Sequence, residues 1–111
     1  MVAYITINGV RALVLFDTGS TLDCVSPEFA RVANLTCYEL GNPTVLQLGT
    51  VGSRSKINYG TDLTFTIQGR TITHYFDAAN IDRYQAVVGV PFLRASKAVL
   101  DFGENRLSLF G

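Results

Sequence analysis

Cysteine and histidine are scarce in this chain, and their scarcity removes whole classes of chemistry. Cys24, Cys37 and His74 are the only residues of their kinds among 111. They are too few and too widely spaced for a zinc site, so no metal is expected. The two cysteines read as free thiols in a reducing compartment, with a single disulfide as the alternative. His74 alternates with strand residues and reads as a surface or partly buried strand residue, not a ligand. An excess of charge is also missing. Nine basic and nine acidic residues cancel, so nothing electrostatic draws the chain to nucleic acid or to an anionic membrane. The one basic cluster, Arg54-Ser55-Lys56, reads as a solvated loop. No apolar run approaches the roughly 20 residues that span a bilayer. The N-terminus has neither the basic region nor the apolar block of a secretory signal. The expectation is a cytoplasmic chain with no membrane partner.

What is present suits a compact core. Hydrophobic residues make up 48% and charged residues 16% of the chain, and the length predicts one domain over residues 1–111. The most informative stretch is Leu15-Phe16-Asp17-Thr18-Gly19-Ser20. An apolar run ends abruptly in a carboxylate, a small hydroxyl residue and a glycine. Such a sequence delivers Asp17 from a buried strand onto a tight loop. There Thr18 can lock the turn and Gly19 lets backbone N–H groups approach the carboxylate. A scaffold that must hold one aspartate rigidly to work on water needs this arrangement.

Most of the chain has strand character. Tyr4–Ile7 and Val10–Phe16 flank the hairpin signal Asn8-Gly9, and Leu63–Ile67 and Thr71–Phe76 flank Gln68-Gly69. Val45–Leu48 and Ile57–Tyr59 are further strand candidates, on either side of a Gly-rich segment at 49–54. Ser26-Pro27-Glu28 predicts a helix start, with Ser26 as N-cap and Pro27 at the first helical position, running to about Asn34. Ala86-Val87-Val88 predicts a short buried strand, followed by a second short helix over Pro91–Lys97. Ala98–Phe102 and Arg106–Phe110 predict a closing hairpin around Gly103-Glu104-Asn105.

A faint internal repeat underlies this pattern. Thr6 through Asp17 aligns with Thr66 through Asp77, and both copies rise through a hairpin to Phe-Asp. The alignment fits either two unrelated hairpins of equal length or a pseudo-symmetric β domain with two related halves. Asp77 is followed by Ala78-Ala79-Asn80, with no hydroxyl or glycine to shape a loop. It is expected to be structural and not a second working carboxylate.

With these residues in place, the chain resembles the retropepsins, the single-domain aspartic proteases of retroviruses and gypsy-type LTR retrotransposons. The resemblance rests on Asp17-Thr18-Gly19-Ser20, on the Gly-rich segment near 49–54 and on Ala86-Val87-Val88-Gly89-Val90-Pro91-Phe92-Leu93. It implies an all-β closed barrel, one lobe of the acid-protease fold, with one or two short helices and a flap hairpin. It implies Asp17, Thr18 and Gly19 as the catalytic loop. Ser20, Gly49, Thr50, Val51, Gly52, Ser53, Val87 and Val88 are the expected substrate-binding residues, with Leu15 a further pocket candidate. The family activity is hydrolysis of an extended peptide without metal or other cofactor. A chain with one such loop would work as a homodimer, associating through Met1–Ile7 and the C-terminal hairpin. Ser20 stands where many retroviral enzymes carry alanine, and its hydroxyl is expected to donate to the aspartate. The flap tip is expected at 49–54, with Asn58-Tyr59-Gly60-Thr61 as the alternative.

The implied role is processing of a retrotransposon Gag-Pol polyprotein, in cytoplasm or within virus-like particles. Three alternatives stand beside it. The C-terminal hairpin looks closer to retrotransposon enzymes and to the retroviral-like domain of DNA-damage-inducible ubiquitin shuttles, which would make this a cellular protease domain. The chain could also be a catalytically silent dimerisation or peptide-binding module, against which the intact Asp17-Thr18-Gly19 weighs. A half-domain of a bilobal pepsin-like enzyme is disfavoured by the absence of disulfide-type cysteines.

Overall fold

The computed structural model describes the backbone of residues 1–47 and 54–111 and the side chains of residues 1–40 and 59–111. Along these residues the order is β1 (Val2–Ile7), β2 (Val10–Phe16), β3 (Cys24–Val25), α1 (Pro27–Val32), β4 (Tyr38–Gln47) and β5 (Arg54–Ile67). Then follow β6 (Arg70–Ala78), β7 (Ala86–Val88), α2 (Val90–Ala95), β8 (Val99–Asp101) and β9 (Arg106–Ser108). Six strands close on themselves in the order β1-β2-β7-β3-β6-β5, with β5 returning to β1 at Phe65↔Ile7. The result is a mixed barrel, with β4 flanking β5 and β8–β9 forming a separate ribbon. The expected closed all-β barrel with short helices is the fold observed.

Two turns set the strand registers. Asn8 and Gly9 have φ of 49° and 81°, and Gln68 and Gly69 have 48° and 78°. Consecutive positive φ values match the right-handed twist of the flanking strands and favour Asn and Gly. The side chains of both turns also hold distant backbone. The Asn8 amide donates to the Ala33 carbonyl at the end of α1. Gln68 donates to Leu107 O and accepts from Leu109 N, at 2.6 and 2.9 Å, which anchors the β8–β9 ribbon.

The faint repeat is structural. Each half runs hairpin, aspartate, short strand, short helix with proline in its first turn. The short strand of each half pairs in parallel with the hairpin of the other: β7 with β2, and β3 with β6. Asp77 is thus the topological counterpart of Asp17. Alternation along the strands fills the barrel with Ile7, Val14, Phe16, Val25, Leu63, Phe65, Phe76 and Val88, and α2 adds Phe92. Phe65 meets Phe76 edge-on at 6.2 Å.

Several boundaries differ from the sequence reading. β5 runs unbroken through Gly60, which the sequence marks as a break. The strand accepts it because the Tyr75 ring and hydroxyl occupy the space a side chain would need there. Asn58-Tyr59-Gly60-Thr61 is therefore strand, paired with β4 and β6, and not a flap tip. The arms of the expected flap are β4 and β5, which pair as far as Gln47↔Arg54. The expected tip, Gly49 to Ser53, lies outside the described residues. α2 stops at Ala95, two residues short of the expected end. Ser96 turns its hydroxyl onto the Phe92 carbonyl at 2.8 Å, and Lys97 takes a φ of 52°.

Candidate active site

β2 carries Asp17 out of the core and stops there. The Asp17 amide donates to Val88 O at 2.8 Å, which continues the β2–β7 ladder by one bond. The chain then turns. Gly19 N donates to Asp17 Oδ1 at 2.8 Å and Ser20 N to Asp17 O at 3.2 Å. Asp17 is buried, while Thr18 and Gly19 are exposed at the loop tip. The structure thus brings Asp17, Thr18 and Gly19 together on one rigid turn. A carboxylate there accepts a hydrogen bond from a fixed amide and keeps an exposed hydroxyl beside it.

Ser20 plays a different part from the expected one. It is fully buried, and its hydroxyl donates to Leu22 O at 2.7 Å instead of to the aspartate. Its own carbonyl accepts from Val90 N at 2.9 Å. Ser20 is an internal brace of the loop, with no surface to offer a substrate. Val88 likewise corrects the sequence reading. Its side chain packs in the main core, and it serves the site through its carbonyl. Val87 and Leu15 face the other way. With Cys24, Leu22, Leu40, Ala79 and Ile81 they form a second, smaller apolar cluster. Four of these, Leu15, Leu22, Leu40 and Ile81, are only partly buried, so this cluster offers apolar surface beside the loop. The expected binding residues Gly49, Thr50, Val51, Gly52 and Ser53 lie outside the described residues.

Asp77 occupies the equivalent place in the second half but not the equivalent conformation. It lies within β6, where the chain continues straight and Ala79 N donates to Val25 O at 3.0 Å. Its carboxylate accepts from the Tyr75 hydroxyl at 2.7 Å. Burial first, and then the Asp77 contact, push the Tyr75 phenol well above its usual range. The lack of a turn-forming residue after Asp77 is the local reason for the difference.

The residue that sequence reasoning missed is Asp23. It is buried at the exit of the loop and makes three kinds of contact. His74 Nε2 lies 2.6 Å from its Oδ2, Gly89 N donates to its Oδ1 at 2.7 Å, and its backbone carbonyl accepts from Asp77 N at 2.8 Å. Burial raises its carboxyl above the ordinary carboxylate range despite the opposing pull of His74 and the Gly89 and Phe92 amides. Cys24 beside it is pushed up to about 12, by burial first and then by Asp77 and Asp23. A signal for Asp23 was present: it lies between Leu22 and Cys24, in a short stretch that must pass through the barrel wall, and a carboxylate there needs partners.

Comparison with known proteins identifies the family and the fold. The family model described as retroviral aspartyl protease matches residues 1–110. No curated protein sequence matches the chain significantly. Among solved structures, the chain is similar to the retroviral protease-like domain of Ddi1 from Leishmania major. That match has a TM-score of 0.74 at 17% identity, over 98% of this chain and 86% of that one. It is also similar to the EIAV protease solved with the inhibitor HBY-793, with a TM-score of 0.66 at 20% identity over 86% of each chain. With a family match across nearly its whole length and the barrel of these proteases, the chain belongs to the retroviral aspartyl protease family.

Proposed function

We propose that the chain is an aspartic endopeptidase that works as a homodimer, with Asp17 of each copy supplying one carboxylate. The observation that carries this reading is the braced Asp17-Thr18-Gly19 turn, of which each chain has one. Two such carboxylates brought within hydrogen-bonding distance cannot both ionise, so they share a proton and titrate as a pair. The ionised member takes a proton from water as that water attacks the scissile carbonyl carbon. The protonated member donates to the carbonyl oxygen. Collapse of the tetrahedral intermediate then expels the amine, with a proton returned to its nitrogen. Gly19 holds one carboxylate oxygen in place by its amide, and the exposed Thr18 is positioned to meet its copy across the dimer axis.

The substrate is an extended peptide, added as a strand beneath the hairpin arms β4 and β5. Its side chains rest on the partly buried Leu15, Leu22, Leu40 and Ile81, with Val87 buried beneath them. Association is assigned to Met1–Ile7 and the β8–β9 ribbon, where Val2, Tyr4, Val99 and Phe102 are exposed. The physiological substrate under this reading is a retrotransposon Gag-Pol polyprotein, processed in cytoplasm or in virus-like particles. A cellular role as the protease domain of a larger protein is the second reading, favoured by the similarity to the Ddi1 domain over 98% of the chain.

The test compares the parent with Asp17→Asn for cleavage of an unstructured protein over about pH 4 to 7, with sedimentation of both. Cleavage by the parent alone, with both dimeric, supports the reading. Equal cleavage by both contradicts the role of Asp17. No cleavage by two dimeric proteins favours a binding module.

A further inference from the structure

The ends of the two short helices are built differently, and the difference leads to the site. α1 is capped locally, Ser26 Oγ accepting from Phe29 N at 3.0 Å. α2 has Gly89 at the same position, which has no side chain to accept a bond. No other residue fits there. A Cβ on Gly89 would fall 2.4 Å from Leu22 O and 2.6 Å from Ser20 O, both backbone atoms of the loop that carries Asp17. The missing cap is supplied from across the barrel. The Asp23 carboxylate accepts from the Gly89 amide, one of the N–H groups at this helix start with no partner within the helix, and faces the amide of Phe92, the donor an N-cap side chain would serve. His74 holds the other carboxylate oxygen. Its ring is fixed edge-on between Phe76 and Phe92, with centroids 5.5 and 5.3 Å away.

The contacts run without a gap from β6 to Asp17. His74 holds Asp23, Asp23 holds Gly89, and Gly89 seats against Ser20 O and Leu22 O. Val90 N binds Ser20 O, and Val88 O, one residue before Gly89, receives the Asp17 amide. We propose that His74 and Asp23 are positioning residues for the Asp17 turn: by capping α2 from outside, the pair sets where Val88, Gly89 and Val90 hold the loop. The inference rests on the proteolytic reading for its kinetic consequence but not for its structural one. The neighbouring groups are consistent with a positioning role. Cys24 is protonated at neutral pH, Asp77 is engaged by Tyr75, and the His74 ring packs edge-on against Phe76 and Phe92.

His74→Phe keeps an aromatic ring on Phe76 and Phe92 and removes the bond to Asp23. His74→Gln keeps an N–H donor without the ring. The expected result is a fall in kcat of about 10- to 100-fold for His74→Phe with KM within about twofold, because a slightly misplaced carboxylate leaves peptide binding intact but activates water poorly. His74→Gln should recover most of that loss. In parallel, the amide signals of Gly89 and Gly19 in a nitrogen–proton correlation spectrum should shift in His74→Phe and return towards the parent in His74→Gln. A variant with lowered melting temperature, unchanged kcat well below its melt and an unmoved Gly19 signal would overturn the proposal, leaving the pair merely structural. If the parent itself cuts nothing, the proteolytic reading fails, and the Gly19 signal alone decides whether the pair positions the loop.

Discussion

Gly89 sits so close to Leu22 that a methyl group on its α-carbon would lie 2.4 Å from the Leu22 carbonyl oxygen. The obstruction is backbone, and Ser20 O crowds the same point at 2.6 Å, so no side-chain rotation relieves it. Gly89→Ala should therefore push the Asp17 loop off β7. The expected cost is about 1–3 kcal/mol, read from urea unfolding midpoints, together with loss of peptide cleavage. Unchanged stability would mean that the loop is softer than this contact implies.

The buried carboxylate of Asp23 makes stability depend on pH in a definite sense. Its folded-state pKa lies above the unfolded value, because burial outweighs the stabilising contacts. The folded chain thus holds this proton more tightly than the unfolded chain does. Its contribution to stability is complete below the unfolded value, near pH 4, and is lost as pH rises through the folded value. Asp23→Asn keeps an acceptor for Gly89 and does not ionise. Urea midpoints measured upward from about pH 4 should therefore show the parent losing stability relative to Asp23→Asn. A difference that does not vary with pH would contradict the assignment.

Ser26 caps α1 through its hydroxyl, and that helix packs Phe29 and Ala30 into the protein. Ser26→Ala should cost about 1 kcal/mol without altering cleavage measured well below the melt. A neutral substitution would show that the Phe29 amide finds another acceptor.

The two thiols differ in reach. Cys37 is exposed and Cys24 is buried, its pKa pushed up to about 12. A thiol reagent should modify Cys37 in the native protein and Cys24 only after unfolding. Mapping the modified peptide by mass spectrometry checks this, and native modification of Cys24 would contradict the burial.

Features with local causes were legible in the sequence. Asn8-Gly9 announces its turn because few pairs tolerate consecutive positive φ, Gly69 between two alternating runs marks the second turn, and Ser26-Pro27 announces a helix start. Asp17-Thr18-Gly19 announces a braced carboxylate because an apolar strand ends on it. Features made by distant residues were not legible. Asp23 and His74 lie 51 positions apart, and nothing in either neighbourhood names the other. Beside the apolar setting of Asp23, the clue is register: Ile72, His74 and Phe76 share a strand face, and Phe76 is core. A titratable group on a core face requires a partner. Gly60 misled for a related reason, since only the packed Tyr75 ring explains a glycine within a continuous strand. Ser20 and Val88 were expected to meet the substrate, and both turn their side chains inward instead. Which way a side chain faces near a loop depends on the ladder that the loop joins.

If one working site needs Asp17 from two copies, mixing subunits reveals it. Parent and Asp17→Asn are combined in equal amounts under conditions that exchange subunits, and cleavage is measured per total chain. If both carboxylates are required, only parent–parent pairs act, and the rate falls to roughly a quarter of that of parent alone at the same total concentration. A rate of roughly half, the value for chains that each act alone, would contradict the shared site and return attention to Asp77.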